Sequence, residues 1–111
     1  RRLANAFVYS LHGFASAFRH EDAFRQETLL AVILIPTSFL CNVSAPARAL
    51  MIGSVLLVLI VELLNSAVEA AVDRISLENH LLAKRAKDIG SAAVFLSIVN
   101  AIAIWTIVLL A

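Results

Sequence analysis

Residues 61–88 read VELLNSAVEAAVDRISLENHLLAKRAKD, and the first half of this stretch decides the fold. It has the apolar pattern of a helix but carries three carboxylates, Glu62, Glu69 and Asp73, which we call the acidic stripe. At 100° per residue, Glu69 and Asp73 fall about 20° to either side of Glu62, with Asn65 and Ser66 beside them. Carboxylates are costly in hydrocarbon and usually face a bundle interior or a water-filled cleft. We therefore expect the acidic stripe to be the working surface.

The composition of the chain is that of a membrane protein. Of its 111 residues, 61% are hydrophobic, whereas about 45–50% of a soluble domain is apolar. The single cysteine, Cys41, excludes an internal disulfide. A net charge of +1 gives no reason to expect a nucleic-acid partner.

Four segments are predicted to be helical, one on the membrane surface and three across it. Residues 1–27 are the predicted surface helix. An apolar residue recurs every three or four positions from Leu3 to Phe18, which is typical of an interfacial helix or of a soluble amphipathic helix packed on a core. The predicted transmembrane helices are residues 28–43, 48–75 and 89–111, with residues 76–88 as a cytoplasmic loop or helix extension. Because the first of these is shorter than the roughly 20 residues that a bilayer needs, we expect its helix to extend back into the charged residues before it. The predicted fold class is an all-α integral membrane protein.

The basic residues indicate the orientation of the chain. Among nine Lys and Arg residues, Arg48 alone lies at the start of the second predicted transmembrane helix, next to the turn that follows the first. All the others lie at the opposite ends of the spans, so the positive-inside rule places the N-terminus and residues 76–88 in the cytoplasm. The acidic stripe then opens towards the cytoplasmic face.

The acidic stripe has the chemistry of a site for a divalent cation and phosphates. Magnesium takes one or two protein carboxylates and keeps its other positions for water and phosphate oxygens. Glu69 is a natural ligand, joined by Glu21 or Glu27 from the charged segment. Glu62 lies deeper and suits a general base that acts on a lipid hydroxyl. The positive charge of Lys87 suits phosphate.

Plainer interpretations compete with this one. A lone polar residue in a membrane helix often only hydrogen-bonds a neighbouring helix, and Asn65 and Ser66 fit that description equally well. The glycines, Gly13, Gly53 and Gly90, are isolated, so any nucleotide site is not a P-loop.

Three motifs together resemble the prokaryotic diacylglycerol kinase family of small integral-membrane lipid kinases. They are EDAFRQE at residues 21–27, VELLNSAVEAAVDRI at 61–75 and RAKDIGSAAV at 85–94, and the resemblance covers essentially the whole chain. It implies a homotrimer of three-span subunits in the bacterial inner membrane. Each subunit would carry an N-terminal surface helix, and neighbouring subunits would share composite active sites. The chain departs from the family pattern around Leu81 and Lys84, where a more acidic loop is expected.

The resemblance also implies a role for individual residues. Glu62 matches the catalytic base, and Glu21 and Glu69 match the metal-binding glutamates. Asn65 and Asp73 match polar residues that support the site. The nucleotide contacts implied are Tyr9, Glu21, Glu69, Glu78, Asn79, His80, Lys87 and Asp88, and the lipid-substrate contacts are Arg2, Arg48, Glu62, Ser91 and Trp105.

The function predicted on these grounds is transfer of the γ-phosphoryl group of ATP, with Mg²⁺, to the hydroxyl of 1,2-diacylglycerol to give phosphatidic acid. Two alternatives stay open at the level of sequence. One is a kinase of the same fold that acts on a polyprenol such as undecaprenol. The other is a non-enzymatic small transporter or structural subunit, in which the charged helix positions would form a path for an ion or a substrate.

Overall fold

The computed structural model describes residues 1–75 and 80–111, without the side chains of Ile75 and His80. Within these ranges the chain is all-α, as predicted. The helices are α1 (Arg2–His20), α2 (Asp22–Leu40), α3 (Ala45–Ile75) and α4 (His80–Leu110).

Helix α1 is amphipathic, and the rest of the chain leaves its apolar face uncovered. Leu3 is 85% exposed and Phe7 is 64% exposed, whereas Ala17 is buried. A soluble helix packed on a core would bury these side chains. Their exposure favours the interfacial alternative, because a membrane surface can cover an apolar face that the protein does not.

Helices α1 and α2 meet at a sharp corner at Glu21. This residue is extended, with φ −116° and ψ 108°, and it ends α1 and precedes α2. Arg25 stabilises this corner by contacts with both helices. Its Nη1 donates to the carbonyl oxygen of Phe18 at 2.6 Å, and its guanidinium forms an ion pair with Asp22. Charged residues predicted to belong to the surface helix thus form the first turns of α2. Helix α2 begins at Asp22, before residue 28, as expected from the length that a helix needs to cross a bilayer.

Within residues 1–75 and 80–111, three segments are long and apolar enough to cross a membrane. They are Asp22–Leu40, Ala45–Arg74 and Leu81–Leu110, with mean hydropathies of 1.2, 2.3 and 2.5. In the most apolar stretch of the third segment, only 6% is buried against the rest of the described chain. Most of the surface of this stretch is therefore left for lipid or for another chain. Of the segment predicted as a loop or a helix extension, the described residues from His80 onward are helical and belong to α4.

Arg48 closes the turn between α2 and α3. Its Nε donates to the carbonyl oxygen of Ser38 at 2.9 Å, and its Nη2 donates to those of Cys41 at 3.0 Å and Val43 at 3.3 Å. The last carbonyls of a helix have no partner within the helix, so a cation that donates to them satisfies and stabilises that end. At the start of α3, the Ser44 hydroxyl accepts the backbone N–H of Ala47 at 3.3 Å.

Helix α3 is the centre of the bundle and packs against both α2 and α4. Met51 is fully buried, and its carbonyl oxygen accepts the indole N–H of Trp105 on α4 at 3.1 Å. Three buried serines, Ser38, Ser54 and Ser97, each donate to a carbonyl three residues earlier in the same helix. Such small, internally satisfied residues allow helices to approach closely in a membrane.

Candidate active site

The acidic stripe runs from the buried middle of α3 to its exposed end. Glu62 is only 5% exposed, Glu69 is half-buried, and Asp73 is exposed. At 1.5 Å per residue, Glu62 and Glu69 are separated by roughly 10 Å along the helix axis. The two glutamates therefore share one face of α3 but lie at different depths.

Glu27 on α2 is the nearest partner of Glu62. The carboxyl groups of Glu27 and Glu62 lie close enough to interact, and Glu69 and Glu21 are close enough to act on the charge of Glu62. Two neighbouring carboxylates repel each other, so the pair is more stable when one of them carries a proton. The sequence suggested Glu27 only as an alternative metal ligand. Its pairing with Glu62 depends on how α2 packs on α3, which the sequence pattern does not encode.

Asn65 lies between the two glutamates and is almost fully buried. Its Nδ2 is 3.5 Å from Oε2 of Glu69, one turn further along the same helix. Its Oδ1 and the hydroxyl of Ser66 are buried without a hydrogen-bond partner among the described residues. Asn65 is thus directed at the acidic stripe rather than at a polar side chain of a neighbouring helix in the described part of the chain.

Basic side chains of α4 line the exposed end of the acidic stripe. Lys87 Nζ is 2.5 Å from Oδ1 of Asp73, which joins α4 to α3. Lys84 Nζ is 2.6 Å from Oδ2 of Asp88 within α4. A phosphate group that approaches Lys87 would have to compete with Asp73 for it.

A cavity of about 490 Å³ lies between α1 and α3. Glu21 and His20 line it at the α1–α2 corner, and Ser66 lines it from α3. The cavity therefore brings one predicted metal ligand next to the helix that carries the other. Tyr9, a predicted nucleotide contact, is 70% exposed and does not line it.

A second concavity, of about 290 Å³, lies between α2, α3 and α4. A neighbouring one of about 270 Å³ shares Leu34, Val55, Ala101 and Ile102 with it and ends at Trp105. We call the two together the apolar groove. Glu27 is the one charged residue in its lining, at the opposite end from Trp105. The groove has the shape and chemistry of a site for an alkyl chain whose polar head meets the Glu27–Glu62 pair.

The other predicted contacts are dispersed. Arg2 and Ser91 are exposed on α1 and α4. Arg48 is about 20 Å from Glu62 along the axis of α3, and backbone carbonyls occupy its guanidinium. The structure brings neither Arg2 nor Arg48 to Glu62. Two predicted nucleotide contacts, Glu78 and Asn79, and the side chain of His80 lie outside the described residues.

The carboxylates fit a magnesium ion better than a metal held by protein ligands alone. Among residues 1–75 and 80–111, no group of three or more His, Cys, Asp or Glu side chains has metal-binding geometry. Magnesium needs only one or two protein carboxylates, since water and phosphate oxygens complete its shell. Glu21 and Glu69, the two metal ligands that the resemblance implies, both lie close enough to Glu62 to act on its charge.

Comparison with known proteins gives a consistent result. The family model described as prokaryotic diacylglycerol kinase matches residues 8–109. A diacylglycerol kinase of Pseudomonas aeruginosa is 58% identical over 110 residues, which cover 99% of this chain and 89% of the relative. One of Haemophilus influenzae is 52% identical over 93% of this chain and 87% of its own length. One of Escherichia coli K12 is 47% identical, with 97% and 88% covered.

Proposed function

This chain belongs to the prokaryotic diacylglycerol kinase family and is a diacylglycerol kinase, and we propose that Glu62 is the base of its phosphoryl transfer. The reaction moves the γ-phosphoryl group of ATP to the free hydroxyl of 1,2-diacylglycerol and gives phosphatidic acid. The observation that carries this assignment is the position of the Glu27–Glu62 pair at the charged end of the apolar groove. The relatives are diacylglycerol kinases, so a non-enzymatic transporter or structural subunit is the wrong interpretation.

The lipid substrate would lie with an acyl chain in the apolar groove and its hydroxyl at Glu62. Because the acyl chain comes from the bilayer and not from water, the groove would orient the lipid by van der Waals packing rather than by the hydrophobic effect. We place the proton of the Glu27–Glu62 pair on Glu27, which leaves Glu62 as a carboxylate. Glu62 then accepts the hydroxyl proton as the oxygen attacks phosphorus.

The nucleotide would lie at the more exposed end of the same face of α3, next to the cavity between α1 and α3. Glu69 and Glu21 would hold Mg²⁺, which when bound neutralises charge on the phosphates. Lys87 would exchange its ion pair with Asp73 for a phosphate, and Asn65 would orient the Glu69 carboxylate. Tyr9, Glu78, Asn79, His80 and Asp88 remain predicted nucleotide contacts. Catalysis would rest chiefly on positioning and electrostatics.

We propose that three copies of the chain assemble in the bacterial inner membrane, with the N-terminus and the active sites on the cytoplasmic side. The large uncovered surface of α4 and the open side of the acidic stripe support this assembly. A neighbouring subunit would then complete each site. Native mass spectrometry of the purified protein should give three times the chain mass of 12.0 kDa, and a monomeric mass with full activity would contradict the proposal.

The substrate is tested by supplying two lipids to one purified preparation. With ATP and Mg²⁺ held constant, we expect the kcat/KM for diacylglycerol to exceed that for undecaprenol at least tenfold. A reaction without added lipid controls for ATP hydrolysis by contaminants, because contaminating ATPases also use MgATP. A preference for undecaprenol would overturn the choice of substrate, although the chain would still be a lipid kinase.

A further inference from the structure

Gly90 on α4 lies directly against the side chain of Asn65 on α3. A Cβ atom built on Gly90 would collide with Oδ1 of Asn65 and would lie 3.1 Å from its Cγ. Gly13 and Gly53 differ, since a Cβ built on either would meet nothing within 4 Å beyond its chain neighbours and the backbone of its own helix among the described residues. Among the three glycines, only Gly90 therefore has a neighbour that excludes a side chain.

The helix itself gives no reason for glycine at this position. No glycine of the described residues has a positive φ, so the backbone of Gly90 suits any L-residue. A glycine inside a helix is less favourable than an alanine, because it loses more conformational freedom on folding. The close approach of Asn65 is thus the remaining reason for glycine.

The contact with Gly90 fixes the orientation of the Asn65 amide. The side chain is 9% exposed, and its Oδ1, which has no hydrogen-bond partner among the described residues, packs on the Gly90 backbone. Because an amide is planar, holding its oxygen against α4 also fixes its nitrogen. That nitrogen is directed at Glu69 Oε2, 3.5 Å away.

We propose that Gly90 is a positioning residue for the kinase reaction. It lets α4 pass close to α3, and it thereby holds the Asn65 amide so that its N–H groups face the Glu69 carboxylate. The consequence for nucleotide affinity rests on the proposed role of Glu69 in holding the metal–nucleotide. A side chain at position 90 would turn the amide away or push α4 outward. An outward shift would also disturb the Lys87–Asp73 ion pair, since Lys87 lies one turn before Gly90.

The test compares Gly90→Ala with Gly53→Ala in the full-length purified protein. Both variants exchange glycine for alanine inside a helix, but only Gly90→Ala meets another side chain. We expect Gly90→Ala to raise the KM for MgATP at least fivefold and to leave the KM for diacylglycerol within twofold of wild type. Gly53→Ala should leave both constants unchanged. A general loss of packing would not separate the two substrates in this way.

The double variant Asn65→Ala/Gly90→Ala keeps the test decisive if Gly90→Ala alone folds poorly. Asn65→Ala removes the two atoms that collide and leaves a Cβ at 3.9 Å, an ordinary contact. Adding Gly90→Ala to Asn65→Ala should therefore not lower the unfolding temperature, and it should leave the MgATP affinity measured by titration unchanged.

Two outcomes would overturn the proposal. One is a Gly90→Ala variant that matches Gly53→Ala both in the KM values and in the unfolding temperature. The other is an effect of Gly90→Ala that is as large in the Asn65→Ala background as in wild type. If Glu69 proved not to serve the nucleotide, the Gly90–Asn65 coupling would still appear in the unfolding temperatures while MgATP affinity stayed unchanged. Failure of the proposed function is thus distinguishable from failure of this inference.

Discussion

Replacing Glu62 by Gln tests the separation of roles along the acidic stripe. The change keeps the size of the side chain and its ability to hydrogen-bond Glu27, but it removes the proton acceptor. Loss of a general base usually costs a factor of 100 to 10,000 in rate, which corresponds to about 3 to 5 kcal/mol in the activation barrier. We therefore expect kcat to fall within that range.

The same substitution should leave nucleotide binding almost unchanged. Glu62 lies roughly 10 Å deeper along α3 than Glu69, and its role as a base does not require contact with the metal or the phosphates. A base that acts only in the transition state contributes little to ground-state affinity. The affinity for MgATP should accordingly stay within about threefold of wild type.

The assay follows phosphatidic acid formation at saturating ATP and diacylglycerol, with MgATP affinity titrated separately. Glu69→Gln is the matched control, because it makes the same change on the same face of α3 at a different depth. An unfolding scan of each variant confirms that the fold is retained. The reasoning would be refuted by a Glu62→Gln variant with more than a tenth of wild-type turnover. Loss of MgATP binding equal to that of Glu69→Gln would refute it as well.

Three further predictions concern the metal, the α2–α3 turn and the α3–α4 contact. Glu69→Gln and Glu21→Gln should each weaken Mg²⁺-dependent nucleotide binding at least tenfold in titrations, because an amide lacks the charge that holds a divalent cation; normal Mg²⁺ dependence would contradict the ligand assignment. Arg48→Met should lower the free energy of unfolding by about 1 to 3 kcal/mol, because part-buried carbonyls at the α2–α3 turn lose their donor. The exposed Arg74→Met should change the free energy of unfolding by less than about 0.5 kcal/mol. Equal effects of the two substitutions would contradict the structural role of Arg48. Trp105→Phe removes the indole N–H that donates to α3 and should lower the free energy of unfolding by about 1 kcal/mol. An unchanged free energy of unfolding would contradict a stabilising role for this hydrogen bond.

The structure gives Arg48 and Trp105 structural roles that differ from their predicted roles. The resemblance assigned both to the lipid substrate. Arg48 donates to the end of α2, and Trp105 donates to α3, so each has a structural task that explains its presence without any substrate. For Trp105 a lipid contact remains compatible with this task, because it also lines the apolar groove.

The sequence by itself determined the features that depend on one helix at a time. Apolar length predicts a spanning segment, and helical periodicity places Glu62, Glu69 and Asp73 on one face, because both follow from spacing along the chain. The order of depth along the acidic stripe follows in the same way. The family resemblance then supplied the reaction, which the comparisons support over nearly the whole length.

Only the tertiary structure decided which residues of different helices meet. The pairing of Glu27 with Glu62, the contact of Gly90 with Asn65 and the ion pair of Lys87 with Asp73 all depend on the register between packed helices. A shift of one helix by a single turn would keep every sequence pattern but would replace each of these partners. Register is set by the fit of many side chains at once, such as Met51 and the buried serines, and no local spacing rule encodes it.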